Sequence, residues 1–503
     1  MWLLVFSLAM ANSPEEWVRV FDPDHPEALV SSEVASVLQG PPDGNVLWEW
    51  EAIPHTDGWV DTALLQTVNA DRWHQQGHTG AGIKVAVFDL QWFGAEGLTA
   101  DLGEVFTHDC WVQRSCERPM EPLRPRFSFE EGVHGVGCAE VIRALAPDVE
   151  LHLVRVNGQT TLENAVAWAI REEIDIISMS LSFFQRSFYD GTGPIGALMD
   201  DLADADVLMV TSAGNYASAH WRGVYQDADQ DGRMDFGGSN RLRVLFREDN
   251  TRGAYVNWDQ FRSCGLTDLA VVVRDDEGNI LGRSDAPQVF EREEDENCEP
   301  SERARIVASE DTWAWLEVVR NHGPTAGLQV DVMFPGGRVE NPVAAGSVTD
   351  PGSHPRVFTV GAVELDGYLN NDVEGFSSQG PVAGTAHKPD IAGPDGLSVD
   401  VYGGRGFYGT SAATPAVAAM IALIMSEDPS LSSQQAAARL QGWAWQHGGR
   451  TDGRDPRWGW GRARLPERWT HQDSCGRRPL LMSLFLLPLL WCRRRAGRET
   501  KEW

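Results

Sequence analysis

At 503 residues the chain is longer than one hydrophobic core usually serves, so a large domain carrying an insertion, or two domains, is expected. A formal net charge of -31, with lysine confined to Lys84, Lys388 and Lys501, counts against nucleic acid as a partner.

Taken in order, the first eleven residues, MWLLVFSLAMA, are apolar and end in the small-x-small pattern of Ala9-Met10-Ala11. This predicts a signal peptide at 1–11 and export. Residues 12–46 are acidic and Pro-bearing without periodicity, as a linker or a reduced pro-segment would be. A short helix after Leu64 and a Gly-rich turn lead to Ile83–Phe88, apolar throughout except at Lys84, as a buried parallel strand requires. Asp89 ends that strand, where open α/β sheets gather functional groups; it reads as a candidate acid or as a turn cap. His134 opens a helix expected from about Gly135 to Ala144. Cys138 lies one turn later on the same face, packed as a small buried hydrophobe.

Asp148–Val156 and Ile174–Leu181 read as further strands separated by an amphipathic helix from Leu162 to Arg171. Asp206–Val210 leads into the turn Thr211-Ser212-Ala213-Gly214-Asn215, and Phe358–Val363 is another strand. Gly409-Thr410-Ser411-Ala412-Ala413-Thr414-Pro415 then sets one serine before the apolar run Ala416–Met425. Pro415 suits a first helical turn, where the N–H it lacks has no partner, and the positive helix end faces Ser411. Ser411 reads as a nucleophile or as an N-cap. LSSQQAAARLQGWA follows as a second amphipathic helix, capped by Ser432 or Ser433.

The string GTSAATPAVAAMIALI resembles the nucleophile segment of the subtilisin-like serine peptidases, usually G-T-S-[MA]-[AS]-x-P-H-V-[AS]-G. The segments that precede it in that family are present in the same order. Asp89 closes IKVAVFD, His134 opens HGVGCAEVIRALAP beside the family's H-G-T-H-V-A-G-x-I-A, and Asn215 ends TSAGN beside A-A-G-N. DIISMSLS resembles D-V-I-N-M-S-L-G, and FSSQGP, KPDIAGP and WGWGR match later core segments. The resemblance implies an α/β doubly wound, mostly parallel sheet, with Asp89, His134 and Ser411 as a catalytic triad and Asn215 as oxyanion donor. Ser180, Leu181, Ser182, Ala213 and Gly214 would line the substrate. The sequence departs from the family at Leu90-Gln91-Trp92, where Ser or Thr and then Gly are usual. It departs again at Gly137, often a second His, and at Glu140, usually Gly. Phe183 and Phe184, in place of a Gly-rich continuation, are expected to narrow or roof the cleft.

A long tract before Phe358 is read as an insertion at 217–345. Arg241–Phe246, Ala254–Trp258, Leu269–Val273, Trp313–Val319 and Gly327–Met333 are short alternating runs, which suggests a β-sandwich. It resembles the bacterial pre-peptidase C-terminal type. Asp227, Asp229, Asp231 and Asp235 alternate around Gly232 as in a calcium loop that lacks the late Glu; the alternative is a solvated acidic turn. Cys110 with Cys116, and Cys264 with Cys298, are candidate pairs that spacing leaves open. From 471 the chain carries Cys475, an apolar run Pro479–Trp491 too short for a membrane helix, and Arg493–Arg495. This resembles a MYXO-CTERM-type sorting tail.

The expectation is a monomeric serine endopeptidase, secreted or held at the envelope of a bacterium, with its core at 47–216 and 346–470. It would act on protein or peptide substrates and need no cofactor for chemistry, calcium being structural. Two other classes stay open: a surface-displayed binding protein with a weak or inactive triad, and a transpeptidase that passes the acyl-enzyme to an amine.

Overall fold

The computed structural model describes residues 62–467, less 93–101, 112–113, 121–131, 248–252, 262–266, 288–298, 307–309, 383–386, 403–405 and 446–453. It also places the backbone of β1 (Trp17–Val20), β2 (Leu29–Ser31) and β3 (Trp48–Trp50), with β1 antiparallel to both others. Strands of three or four residues are too short for a period-2 pattern to register. The signal segment 1–11, the tail from 471, and Cys264, Cys298 and Cys475 lie outside the described residues.

After α1 (Thr62–Thr67) and α2 (Ala70–His74), the chain lays down β4 (Lys84–Asp89) and β5 (Val105–Asp109). Helix α3 (His134–Leu145), β6 (Glu150–Arg155), α4 (Gln159–Arg171), β7 (Ile176–Met179), α5 (Gly193–Asp204) and β8 (Leu208–Ser212) then alternate. Cys110 and Cys116, just past β5, form a disulfide, one of the two pairs the sequence offered; both cysteines are buried, while Trp111 and Arg114 between them are exposed.

Nine antiparallel strands follow: β9 (His220–Val224), β10 (Leu242–Phe246), β11 (Ala254–Trp258), β12 (Asp268–Arg274), β13 (Ile280–Ser284), β14 (Ser301–Ala304), β15 (Thr312–His322), β16 (Gln329–Met333) and β17 (Arg338–Val339). They form two sheets, ordered β13-β12-β15-β10-β17 and β14-β11-β16-β9. Val244, Phe246, Val271, Val273, Leu316 and Val318 of the first share one core with Val256, Trp258, Val330 and Val332 of the second. Alternation is clean in β10, whose Leu242, Val244 and Phe246 are buried while Arg243 and Leu245 are partly exposed. The sequence showed no strand at β9, β13, β14 or β17. β9 carries His220 inward to meet Asp331, and β13 is ILGRS, so neither shows an apolar period.

The chain then returns to β18 (Phe358–Glu364), β19 (Ile391–Asp395), α6 (Thr410–Glu427) and α7 (Ser433–Trp443). Seven strands make one parallel sheet, β19-β18-β8-β7-β4-β6-β5. Helices α4 and α5 cover one face through Leu162, Ala165, Ile195 and Met199, packed on Ala86, Phe88, Ile177 and Met209. Helix α6, buried along nearly its whole length, packs on α3, β18 and β19. An all-round apolar sequence such as TPAVAAMIALIM fits a helix enclosed on every side. Ser432 caps α7 in a reciprocal box with Gln435, the first of the two serines the sequence offered.

Candidate active site

Asp89 stands at the C-terminal end of β4 and is fully buried. Its Oδ1 accepts the backbone N–H groups of Leu90 and Gln91 at 2.8 and 2.9 Å, and the indole of Trp92 donates to its carbonyl at 2.9 Å. The unusual Leu-Gln-Trp continuation therefore closes on the aspartate itself, as Asx turns do, and leaves Oδ2 to meet Nδ1 of His134 at 2.6 Å. An acceptor at Nδ1 fixes which ring nitrogen carries the proton in the neutral imidazole and turns Nε2 away from Asp89. His134 is the first residue of α3, with its side chain 22% exposed and its ring edge-on to Phe407 at 5.6 Å.

The other departures in α3 share one cause. A Cβ on Gly137 would lie 2.9 Å from the ring of Tyr402, which stacks on Phe407, so a second histidine has no room there. Glu140 reaches the same turn, accepting the Val401 N–H at 3.4 Å.

Ser411 lies in the first turn of α6, after Gly409, whose φ of 107° falls in the region glycine tolerates. Pro415 corrects a sequence expectation. The helix begins at Thr410, so Pro415 sits beyond the first turn, at the position whose N–H would normally reach the Ser411 carbonyl. That carbonyl is instead met by the hydroxyl of Ser180 at 3.1 Å and the thiol of Cys138 at 3.7 Å. Ser411 is thereby tied through its backbone to the end of β7 and to the His134 face of α3. Cys138 is buried as expected. Burial, then the charge of Asp89, pushes its thiol well above the ordinary range, so it is an inert neutral donor.

Asn215 follows β8 through Ala213 and Gly214. Its Oδ1 accepts both the backbone N–H of Thr410 at 3.0 Å and the Thr410 hydroxyl at 2.9 Å. A backbone N–H can only donate, so this contact assigns oxygen and nitrogen of the amide. Asn215 as a whole is exposed. Thr410 also accepts the Gly214 N–H at 3.2 Å, so one threonine links the Ser411 and Asn215 turns. Sequence reading passed over it because its neighbour Ser411 was the candidate nucleophile. Leu181 and Ser182, just past β7, are partly exposed, while Ser180 is nearly buried.

Phe183 and Phe184 do not simply face the cleft. Phe183 packs against the α4–α5 core, and Phe184 lies between Tyr216 at 5.4 Å and Tyr255 of β11 at 4.8 Å. In the acidic loop, carboxylate oxygens of Asp227, Asp229 and Asp231 lie within 4.8 Å of one another, and Asp227 Oδ1 is buried without a hydrogen-bond partner. Asp235 lies outside that group, its Oδ2 accepting the Ala228 N–H at 2.9 Å.

The chain is similar to known proteins. The model described as "Subtilase family" matches residues 80–344 and 336–461. The human membrane-bound transcription factor site-1 protease is 30% identical over 165 residues, 31% of this chain and 14% of that protein. Subtilisin E of Bacillus subtilis is 27% identical over 176 residues, 31% of this chain and 40% of that protein. The minor extracellular protease Vpr of Bacillus subtilis is 25% identical over 418 residues, 74% of this chain and 49% of that protein. The matched regions thus span less than half of each of these relatives. Among solved structures, the CspB protease of Clostridium perfringens aligns with a TM-score of 0.53 at 16% identity, covering 80% of this chain and 96% of that one; the likeness is one of fold. Since the family model spans most of the sequence and includes the segments around Asp89, His134, Asn215 and Ser411, the chain belongs to the subtilase family.

Proposed function

We propose that the chain is a serine endopeptidase that hydrolyses peptide bonds through an acyl-enzyme, with Asp89, His134 and Ser411 as its triad. The observation that carries the reading is the Asp89–His134 contact at 2.6 Å on the same helix face whose Cys138 touches the Ser411 backbone. His134 Nε2 takes the proton of the Ser411 hydroxyl as its oxygen attacks the substrate carbonyl, and Asp89 stabilises the imidazolium. The Asn215 NH2 and the Ser411 N–H hold the oxygen as it becomes negative. His134 returns the proton to the leaving amine, and water repeats the sequence to release the acid. Ser180, Leu181 and Ser182 on one side, with Ala213 and Gly214 on the other, border the substrate backbone.

A fluorophosphonate probe tests this on folded, processed protein. Labelling mapped to Ser411 and lost in Ser411→Ala supports the peptidase; its absence in folded wild type sinks it.

Export, the two-sheet insertion as a pre-peptidase C-terminal-like sandwich, the sorting tail and a monomeric state belong to the same proposal. Export draws support from the 1–11 segment and the likeness to a protease named as extracellular. Fractionation of expressing cells decides it, since retention in the cytoplasm would exclude export. Asp227, Asp229 and Asp231, with Asp235 buttressing the loop, are the residues that would hold structural calcium. Their oxygens and the orphaned Asp227 Oδ1 suit a hard cation. A melting temperature indifferent to chelator would remove calcium from the proposal.

A further inference from the structure

Asp395 closes β19 beneath the turn that carries Ser411, and neither the triad nor the oxyanion donor uses it. Its side chain is fully buried. Oδ2 accepts the Gly409 N–H at 2.9 Å, while Oδ1 is enclosed with no hydrogen-bond partner. Among the described residues, the titratable groups that face it are acidic: Glu364, its register partner on β18, then Glu374 from the following loop and the Tyr368 hydroxyl. Burial pushes its carboxyl up to about 7, against the pull of the Gly409 amide and with the help of Glu374 and Glu364.

Gly409 stands between this carboxyl and Asn215. A Cβ on Gly409 would sit 2.9 Å from Asn215 Nδ2, and the next amide along, that of Thr410, donates to Asn215 Oδ1. These contacts bring Asp395 to within about 8 Å of the oxyanion amide. Asp395 and Gly409 are buried but Asn215 is exposed, so a full charge at that separation acts with the intermediate strength of a site near the surface, enough for a severalfold effect.

We infer that Asp395 has to be protonated for Ser411 to turn over, because its ionisation sets a negative charge behind the place where the tetrahedral oxygen becomes negative. The inference rests on the reading of Ser411 as nucleophile. Asp395 touches no reacting atom; it is a positioning residue that grips Gly409 and sets the field at Asn215. His134 has to be neutral to accept the Ser411 proton, so turnover rises as pH passes its titration and falls again as Asp395 ionises. The neutral acid keeps its hydrogen bond to Gly409 and adds no charge. The carboxylate keeps the hydrogen bond too, but opposes the oxyanion that the site exists to stabilise.

The test is the second-order rate of Ser411 labelling by fluorophosphonate, followed from roughly pH 5.5 to 9.5, well to either side of the Asp395 value. Wild type should peak near neutrality and fall by about fivefold or more toward the alkaline end. Asp395→Asn should keep the acid limb and lose the alkaline fall. Glu374→Gln removes a neighbouring negative charge, which eases ionisation of Asp395, and should move the fall to lower pH. A wild-type profile without an alkaline fall overturns the inference, as does a fall that survives in folded Asp395→Asn. Should that variant fail to fold, an unmoved fall in Glu374→Gln overturns it. No labelling at any pH, in protein shown to be folded, defeats the peptidase reading instead and is distinct from either result.

Discussion

Pro415 and Ser180 form a pair that neither residue explains alone. A proline at this depth in α6 removes the N–H that would have met the Ser411 carbonyl, and Ser180, at the end of β7, supplies a hydroxyl to it at 3.1 Å. The exchange substitutes a contact from another element for a helical one, so the Ser411 carbonyl is anchored to the end of β7, which is proposed to border the substrate. Ser180→Ala should cost about 1–2 kcal/mol of stability, since it leaves a buried acceptor with only a weak thiol donor. In a Pro415→Ala background the cost should shrink, because the restored helical N–H can take the same carbonyl. A double-mutant cycle on urea unfolding measures the difference, and strict additivity would refute the exchange.

At the scale of elements, the loop after β7 joins the two parts of the fold. Phe184 is held by Tyr216, which follows the Asn215 turn, and by Tyr255 of β11, while Gln185 donates to the Glu302 carbonyl of β14 at 2.8 Å. This explains why β11 is buried at every position: Val256 and Trp258 face the core between the antiparallel sheets, and Tyr255 faces the peptidase side. The antiparallel sheets therefore brace the loop after β7 and the turn after Asn215, the two segments proposed to border the substrate. Tyr255→Ala should destabilise the fold by about 2–4 kcal/mol through lost ring contacts and the cavity left behind. It should raise KM for a peptide substrate more than it slows labelling of Ser411 by a small probe. Equal effects on both would mean that the brace acts on the nucleophile rather than on the substrate walls.

Across the whole molecule, acidity has a cost that pH reveals. Burial pushes Asp350 up to about 6, against the hydroxyls of Ser187 and Ser353, and Asp395 up to about 7. A carboxyl raised in the folded state holds its proton to higher pH than in the unfolded chain. Its stabilisation is complete below the ordinary carboxylate range and is lost as pH rises through the folded value. These two carboxyls should therefore withdraw stability between about pH 4 and 7, while burial of His108, His152 and His354, which lowers their values, returns stability over the same range; the melting temperature of Asp395→Asn should lack the Asp395 share of that loss at its upper end. A net charge of -31 adds self-repulsion that salt relieves, so repeating the scan at high ionic strength separates the two contributions. An Asp395→Asn profile parallel to wild type would show that this carboxyl does not titrate in the folded protein over that range.

Much of this was legible in the sequence because it is local. Apolar runs fix buried strands, strand ends place Asp89 and Asn215, a small-residue turn before an apolar helix places Ser411, and the order of these segments identifies the family. What only the tertiary structure decided depends on residues far apart in the chain. The donors to the Ser411 carbonyl come from 231 and 273 residues away. The room lost at Gly137 is taken by Tyr402, and Phe184 is held by Tyr216 and Tyr255. Asp395 looks in sequence like one more strand-end acid. Enclosure beside Gly409, close to Glu374 and Glu364, makes it a different chemical group, because the energy of a charge is set by what surrounds it in space and not by its neighbours along the chain.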